Sequence, residues 1–177
     1  MKGWESPDII FSMSTLDELV VKLFSRSPEY TRQIGEYLGE TLQAGDVICL
    51  QGDLGAGKTT LAQGIARGWG SLDSVSSPTF ILVNVYRNAD GNQLFHLDAY
   101  RLDSVPEAEE LDLNSMLAQG SLLIEWPERM EKLIPREHLW FQLEHVGQEE
   151  REMRIVSHGE RYGELLETIR RAAVGGE

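Results

Sequence analysis

The hydrophobic positions change period several times along the chain, and each change marks an element. Leu16, Leu19, Val20 and Leu23 follow Thr15-x-x-Glu18, a capping-box pattern, and predict a first helix. Ser27-Pro28 opens a second, whose Ile34, Leu38 and Leu42 recur at i, i+4 and i+8 and which ends at Gly45-Asp46. Val47-Ile48-Cys49-Leu50 reads as a short buried strand. A glycine-rich stretch, Gly52 to Lys58, then leads into a helix with Leu61, Ile65 and Trp69 on one face. Segments 80–87 and 93–98 read as two strands joined through Asn88-Ala89-Asp90-Gly91-Asn92, a composition suited to an antiparallel hairpin. Ser104-x-x-Glu107, with Pro106, starts an acidic helix expected to run to about Gln119-Gly120. Leu122-Leu123-Ile124 is another buried-strand run and ends in Glu125-Trp126-Pro127. Segments 138–146 and 151–157 form a further strand pair, and a terminal helix carries Leu165, Leu166 and Ile169 inward. Strands and helices mixed in this order predict an α/β fold whose sheet is part parallel and part antiparallel.

No linker, repeat or low-complexity tract interrupts the pattern, so residues 1–177 read as one domain. Sixteen Lys and Arg against 29 Asp and Glu give a net charge of −13, which opposes direct contact with a nucleic-acid backbone. The 41% hydrophobic and 25% charged content excludes a mainly disordered chain. No apolar run reaches membrane-spanning length, and the N-terminal residues lack the apolar stretch of a secretion signal. Cys49 is the single cysteine and cannot form an internal disulfide; these features suit a reducing, cytoplasmic setting.

Gly52-Asp53-Leu54-Gly55-Ala56-Gly57-Lys58-Thr59 matches the phosphate-loop pattern G-x-x-x-x-G-K-[ST]. A chance match in a chain of this length is roughly one in a hundred from average residue frequencies, and the flanking strand and helix are the context the loop requires. Backbone N–H groups from Gly55 to Thr60 can curl around an anion at a helix N-terminus. In that reading Lys58 lies against the β- and γ-phosphates, and the Thr59 hydroxyl completes a Mg²⁺ shell. The alternative is a tight glycine turn with Lys58 and Thr59 exposed. Gly64 in the following helix costs about 1 kcal/mol relative to Ala, and close packing on the sheet is the simplest explanation.

A phosphate-loop enzyme also needs an acid at the end of a second strand. Two are present, Asp98 after Leu94-Phe95-His96-Leu97 and Glu125 after Leu122-Leu123-Ile124, and spacing does not rank them. Thr79, in Ser76-Ser77-Pro78-Thr79-Phe80, is placed either to sense a γ-phosphate or simply to turn the chain. His96 reads as a packed strand residue, since His138, His145 and His158 form no metal-like spacing with it. Arg101 is placed either to neutralise transition-state charge or to pair with the acidic residues at 107–110.

Together Gly52 to Thr60, Ser77-Pro78-Thr79-Phe80, His96-Leu97-Asp98-Ala99-Tyr100-Arg101-Leu102 and Glu125-Trp126-Pro127-Glu128 resemble the bacterial TsaE (YjeE) family over about residues 27–133. That resemblance implies a P-loop NTPase-like three-layer sandwich with a mixed sheet. It further implies an ATPase serving the complex that forms N6-threonylcarbamoyladenosine at position 37 of tRNA. It would place Mg²⁺ on Thr59 and Glu125, ATP or ADP on Gly55, Ala56, Gly57, Lys58, Thr59 and Thr60, and Asp98 and Thr79 beside the γ-phosphate with Lys58. Trp126 would border the nucleotide, burial in the core being equally compatible, and the stretch from Pro28 to Thr31 would lie near the adenine. The implied partners are a TsaD-like carbamoyltransferase subunit and a TsaB-like protein, with no tRNA binding by the isolated chain and no membrane. Residues 1–26 form an N-terminal extension beyond the resemblance, and the tail after about Glu137 carries no family motif.

Two other functions fit a phosphate loop. A small-molecule kinase needs a lid with several arginines, yet no Arg or Lys lies between Arg101 and Glu125. An assembly factor with negligible turnover differs from an ATPase mainly in rate. Neither an Asn-Lys-x-Asp motif nor an Asp-x-x-Gly switch is present, which disfavours a GTPase.

Overall fold

The computed structural model describes residues 10–15, 18–76, 78, 82–102 and 105–174. Its centre is a four-stranded parallel core: β3 (Val47–Gln51) pairs with β6 (Gly120–Glu125) on one side and β7 (His138–His145) on the other, and β6 pairs with β5 (Gln93–Asp98). Antiparallel strands extend both flanks. β4 (Val83–Arg87) closes the hairpin with β5, while β8 (Arg151–His158), β2 (Glu18–Ser25) and β1 (Ile10–Thr15) follow β7, giving the order β1-β2-β8-β7-β3-β6-β5-β4.

Side-chain alternation sorts the central strands into two cores. Ile48, Leu50, Leu94 and Leu123 face α1 (Pro28–Gly39), α2 (Lys58–Gly68) and α5 (Glu160–Val174). Val47, Cys49, Phe95, Leu97, Leu122 and Ile124 face α3 (Val105–Glu109) and α4 (Leu113–Gln119). Both faces of β3 and β6 are therefore apolar, as expected for parallel strands covered twice, and the expected three-layer α/β sandwich with a mixed sheet is observed.

α1 starts where Ser27 caps it, its hydroxyl accepting from Tyr30 N at 3.2 Å, with Pro28 in the first turn. Gly35 and Gly39 of α1 meet Gly64 and Gly68 of α2. A Cβ on Gly64 would stand 2.0 Å from the Arg32 carbonyl oxygen, and one on Gly39 would stand 2.0 Å from that of Ile65. Gly64 thus permits close approach of a helix, not of the sheet. This contact sets α2, and with it the glycine-rich loop, against α1.

Two expectations are corrected. The predicted first helix is strand: Val20, Val21 and Leu23 lie on β2, which pairs Val20 with Val156 and Val21 with Ile155. Leu19 and Leu23 satisfy either period, but β-branched and aromatic residues at 20, 21 and 24 suit a strand, and β8 offers an unpaired edge that decides the matter. Leu16 lies outside the described residues. The segment expected as an extension therefore contributes strands to the main sheet. The acidic helix also divides: Asp112 adopts φ 46° and ψ 61°, and its carboxylate accepts from Ser115 N at 3.2 Å, capping α4. Short-range bonding by Asp competes with continuation of the helix. Ser104 lies outside the described residues.

Candidate functional site

Parallel pairing brings the C-terminal ends of β3, β5 and β6 to one edge. Asp98 stands directly opposite Glu125 in the β5–β6 register, while Trp126 N donates to the Leu50 carbonyl. From β3 the chain passes into the glycine loop, where Gly52, Gly55 and Gly57 have φ of 154°, 80° and 105°. A side chain at the two left-handed positions, Gly55 and Gly57, would be strained. Gly57 caps α2, so the free N–H groups of its first turn and its positive dipole end face the loop.

The edge forms a cleft of about 240 Å³ lined by Gly55, Gly57, Lys58, Thr59, Thr60, Asp98, Tyr100, Glu125 and Trp126, with the exposed Leu54 at its rim. Lys58 Nζ donates to the carbonyls of Gly52 at 2.6 Å and Asp53 at 2.9 Å, and it lies 4.1 Å from the Trp126 ring centroid. Burial pulls the Lys58 pKa down, opposed by Glu125, Glu128, Asp98 and Asp53. Trp126 is held at φ 58° and ψ 47°, a strained conformation for a bulky residue, and its ring packs on Tyr100 at 4.9 Å. From that position the indole lines the cleft.

Thr59 Oγ1 lies 3.4 Å from Glu125 Oε1. A hydroxyl and a carboxylate converging beside the phosphate loop are hard oxygen donors suited to Mg²⁺, which takes few protein ligands and fills its remaining positions with phosphate and water oxygens. Among the described residues no group of three or more His, Cys, Asp or Glu forms a metal cage. The cleft lining holds one cation, Lys58, against the carboxylates Asp98 and Glu125. A polyphosphate entering here needs a divalent cation to offset those two charges.

Lys58, Thr59, Thr60, Gly55, Gly57, Asp98, Glu125 and Trp126 are thus brought together. Ala56 is buried within the loop. Trp126 combines both readings, lining the cleft while packing on the core beneath α3 and α4. Thr79 lies outside the described residues. Pro28 and Thr31 are absent from the cleft lining, and the Thr31 hydroxyl is buried against Ser25 and the Ser27 carbonyl. They nevertheless start α1 at the same sheet edge: Ser25 lies opposite Arg151, whose guanidinium donates to Gly55 O at 3.3 Å. Arg101 is exposed and lies outside the lining.

Arg151 and Tyr100 went unread as site neighbours in the sequence, and His96 was read only as a packed residue. His96 is packed as expected, with no exposed surface, but its Nε2 lies 2.9 Å from Glu125 Oε1. The His96-x-Asp98 spacing puts those two residues on one strand face, but it carries no sign of Glu125.

The family model described as threonylcarbamoyl adenosine biosynthesis protein TsaE matches residues 25–153. The tRNA threonylcarbamoyladenosine biosynthesis protein TsaE of Bacillus subtilis (strain 168) is 38% identical over 146 residues, covering 82% of this chain and 90% of that protein. Its counterpart in Nostoc sp. is 46% identical over 124 residues, covering 66% and 73% respectively. The crystal structure of Bacillus subtilis YdiB is similar with a TM-score of 0.71 and 33% identity, over 89% of this chain and 98% of that one. No helix among the described residues is long and apolar enough to cross a membrane.

Proposed function

Because the chain belongs to the TsaE family of tRNA threonylcarbamoyladenosine biosynthesis, we propose that its cleft binds ATP with Mg²⁺ and hydrolyses it in support of that modification. The observation carrying this reading is the convergence of the α2 N-terminus, Lys58 and Thr59 with Asp98 and Glu125 at one sheet edge.

Backbone N–H groups of residues 55–60 hold the phosphates, and Lys58 exchanges its loop carbonyls for phosphate oxygens. Thr59 and Glu125 hold Mg²⁺, which when bound offsets negative charge on the phosphates. Asp98, fixed by Tyr100 N at 2.9 Å from its Oδ1, orients the attacking water. The water oxygen bonds to the γ-phosphorus and gives up one proton to solvent as the bond to the β–γ bridging oxygen breaks, and ADP and phosphate leave. Trp126 and Tyr100 flank the cleft mouth and limit its contact with bulk water. Thr79 joins Asp98 at the γ-phosphate, and the stretch from Pro28 to Thr31 borders the adenine.

The net charge of −13 and the absence of a basic stripe favour action through partners rather than on tRNA directly. TsaD-like and TsaB-like proteins are the partners proposed, in the cytoplasm. Since a ligand shifts an equilibrium only by differential affinity, the partner pair should distinguish ATP-bound from ADP-bound protein. The test measures nucleotide binding and phosphate release by the purified protein, alone and with the pair, and separately titrates tRNA at two salt concentrations. ATP binding with partner-dependent release supports the reading. Absence of nucleotide binding, nucleotide-independent partner affinity, or tight salt-sensitive tRNA binding contradicts it. Binding without release under any condition indicates a nucleotide-dependent assembly factor.

A further inference from the structure

Beneath the cleft a chain of polar side chains crosses three neighbouring strands. His96 on β5 is wholly buried, with Nε2 2.9 Å from Glu125 Oε1 on β6 and Nδ1 3.3 Å from the Tyr86 hydroxyl on β4. Asn84, opposite His96 in the β4–β5 register, reaches the Tyr86 hydroxyl and the Ser76 carbonyl, each at 3.3 Å, and that hydroxyl also lies 3.2 Å from Ser76 O.

The donor inventory gives each polar atom of this chain a partner. Glu125 is wanted as a carboxylate, an acceptor, so His96 Nε2 carries the proton and Nδ1 becomes an acceptor. The single Tyr86 hydroxyl proton has two acceptors within reach, the Ser76 carbonyl at 3.2 Å and Nδ1 at 3.3 Å. The hydroxyl oxygen accepts from Asn84, whose second amide hydrogen serves Ser76 O. Every member is satisfied when the hydroxyl proton serves Nδ1, the condition under which a buried polar network holds one geometry.

We propose that His96 is a positioning residue for Glu125, oriented by Tyr86 and Asn84, which holds the carboxylate toward Thr59 and ties it to the carbonyl of Ser76. This rests on Glu125 being the magnesium-holding carboxylate. Ser76 lies three residues before Thr79 in sequence, so the relay joins the proposed metal carboxylate to the start of the stretch expected to sense the γ-phosphate. Hydrogen bonds to a metal-ligating carboxylate orient it, and their loss generally costs about 10- to 100-fold in metal affinity.

The experiment compares His96→Leu, His96→Gln and Tyr86→Phe with the wild type. Calorimetric titration with ADP is run in chelator and across a magnesium series, with melting temperature recorded for each protein. Leu fills the site without a donor; Gln supplies an amide N–H. His96→Leu is expected to raise the magnesium concentration for half-maximal enhancement of ADP binding by about 10-fold or more, leaving affinity in chelator unchanged. His96→Gln should restore most of that loss, and Tyr86→Phe should shift the requirement in the same direction as His96→Leu. If His96→Leu does not fold, Tyr86→Phe, which removes only a hydroxyl, decides. Wild-type magnesium dependence in His96→Leu or Tyr86→Phe, with only melting lowered, overturns the relay alone. A wild type that binds no ADP, or binds it without regard to magnesium, overturns the reading of the cleft and the relay with it.

Discussion

Replacing Gly64 by alanine sets two effects against each other. On intrinsic helix propensity the change favours folding by about 1 kcal/mol. The new Cβ, however, would stand 2.0 Å from the Arg32 carbonyl oxygen and 2.8 Å from its carbonyl carbon, about 1.4 Å short of the 3.4 Å at which ordinary contact begins. The obstacle is backbone, which has no rotamer to escape into, so α1 and α2 must move apart. Separation also opens the contacts at Gly35, Gly39 and Gly68, since a gap of 0.5–1 Å forfeits a quarter to a half of a dispersion well. Overpacking costs up to about 3 kcal/mol; after the propensity gain, a net loss of about 2 kcal/mol remains. For a domain of this size that lowers the melting temperature by roughly 4–8 °C. Because Lys58 and Thr59 lie in the first turn of α2, nucleotide affinity should fall with stability. Thermal and urea denaturation measure the first effect, and calorimetry with ADP the second. A melting temperature at or above wild type would refute the helix-contact account and leave propensity as the governing term.

Lys58→Ala should abolish phosphate release and weaken ATP binding with the fold intact by circular dichroism; unchanged release would remove Lys58 from the site. Glu125→Ala should raise the magnesium required for activity, whereas Asp98→Ala should lower turnover with little change in that requirement. The reverse pattern in a magnesium titration would exchange their roles. Tyr162 Oη accepts from Val47 N at 2.8 Å, so Tyr162→Phe strands a buried donor and should cost about 1–3 kcal/mol near neutral pH. Burial pushes the Tyr162 phenol up from 10.0 to about 12, so its contribution is whole below pH 10 and is lost as pH rises through 12. Denaturation midpoints of wild type and Tyr162→Phe should therefore converge across that window, and parallel curves would contradict the assignment.

Much of the site could be read from residue order because its chemistry is local. The glycines, Lys58 and Thr59 lie within one short stretch, where spacing alone fixes which backbone groups and side chains face the cleft. Asp98 and Glu125 each end a strand, and a strand end is visible in sequence. Their relation was not: only the parallel β5–β6 register sets them side by side. The same pairing places His96 against Glu125, a contact between residues 29 apart that no short-range pattern encodes.

The sequence by itself determined the phosphate loop, the helices opened by Ser27 and Lys58, the antiparallel pairs at 83–98 and 138–158, and the mixed character of the sheet. These follow from caps, turn chemistry and hydrophobic period, all of which act over a few residues. Tertiary structure decided the rest. Residues 18–25 became a strand because β8 presented an edge whose hydrogen bonds outweighed an ambiguous period. Gly64 took its meaning from the backbone of Arg32, 32 residues away in sequence but in direct contact in space. Hydrophobic pattern assigns a face to each residue; which neighbour occupies that face depends on strand order and helix approach, and those are settled only when the whole sheet assembles.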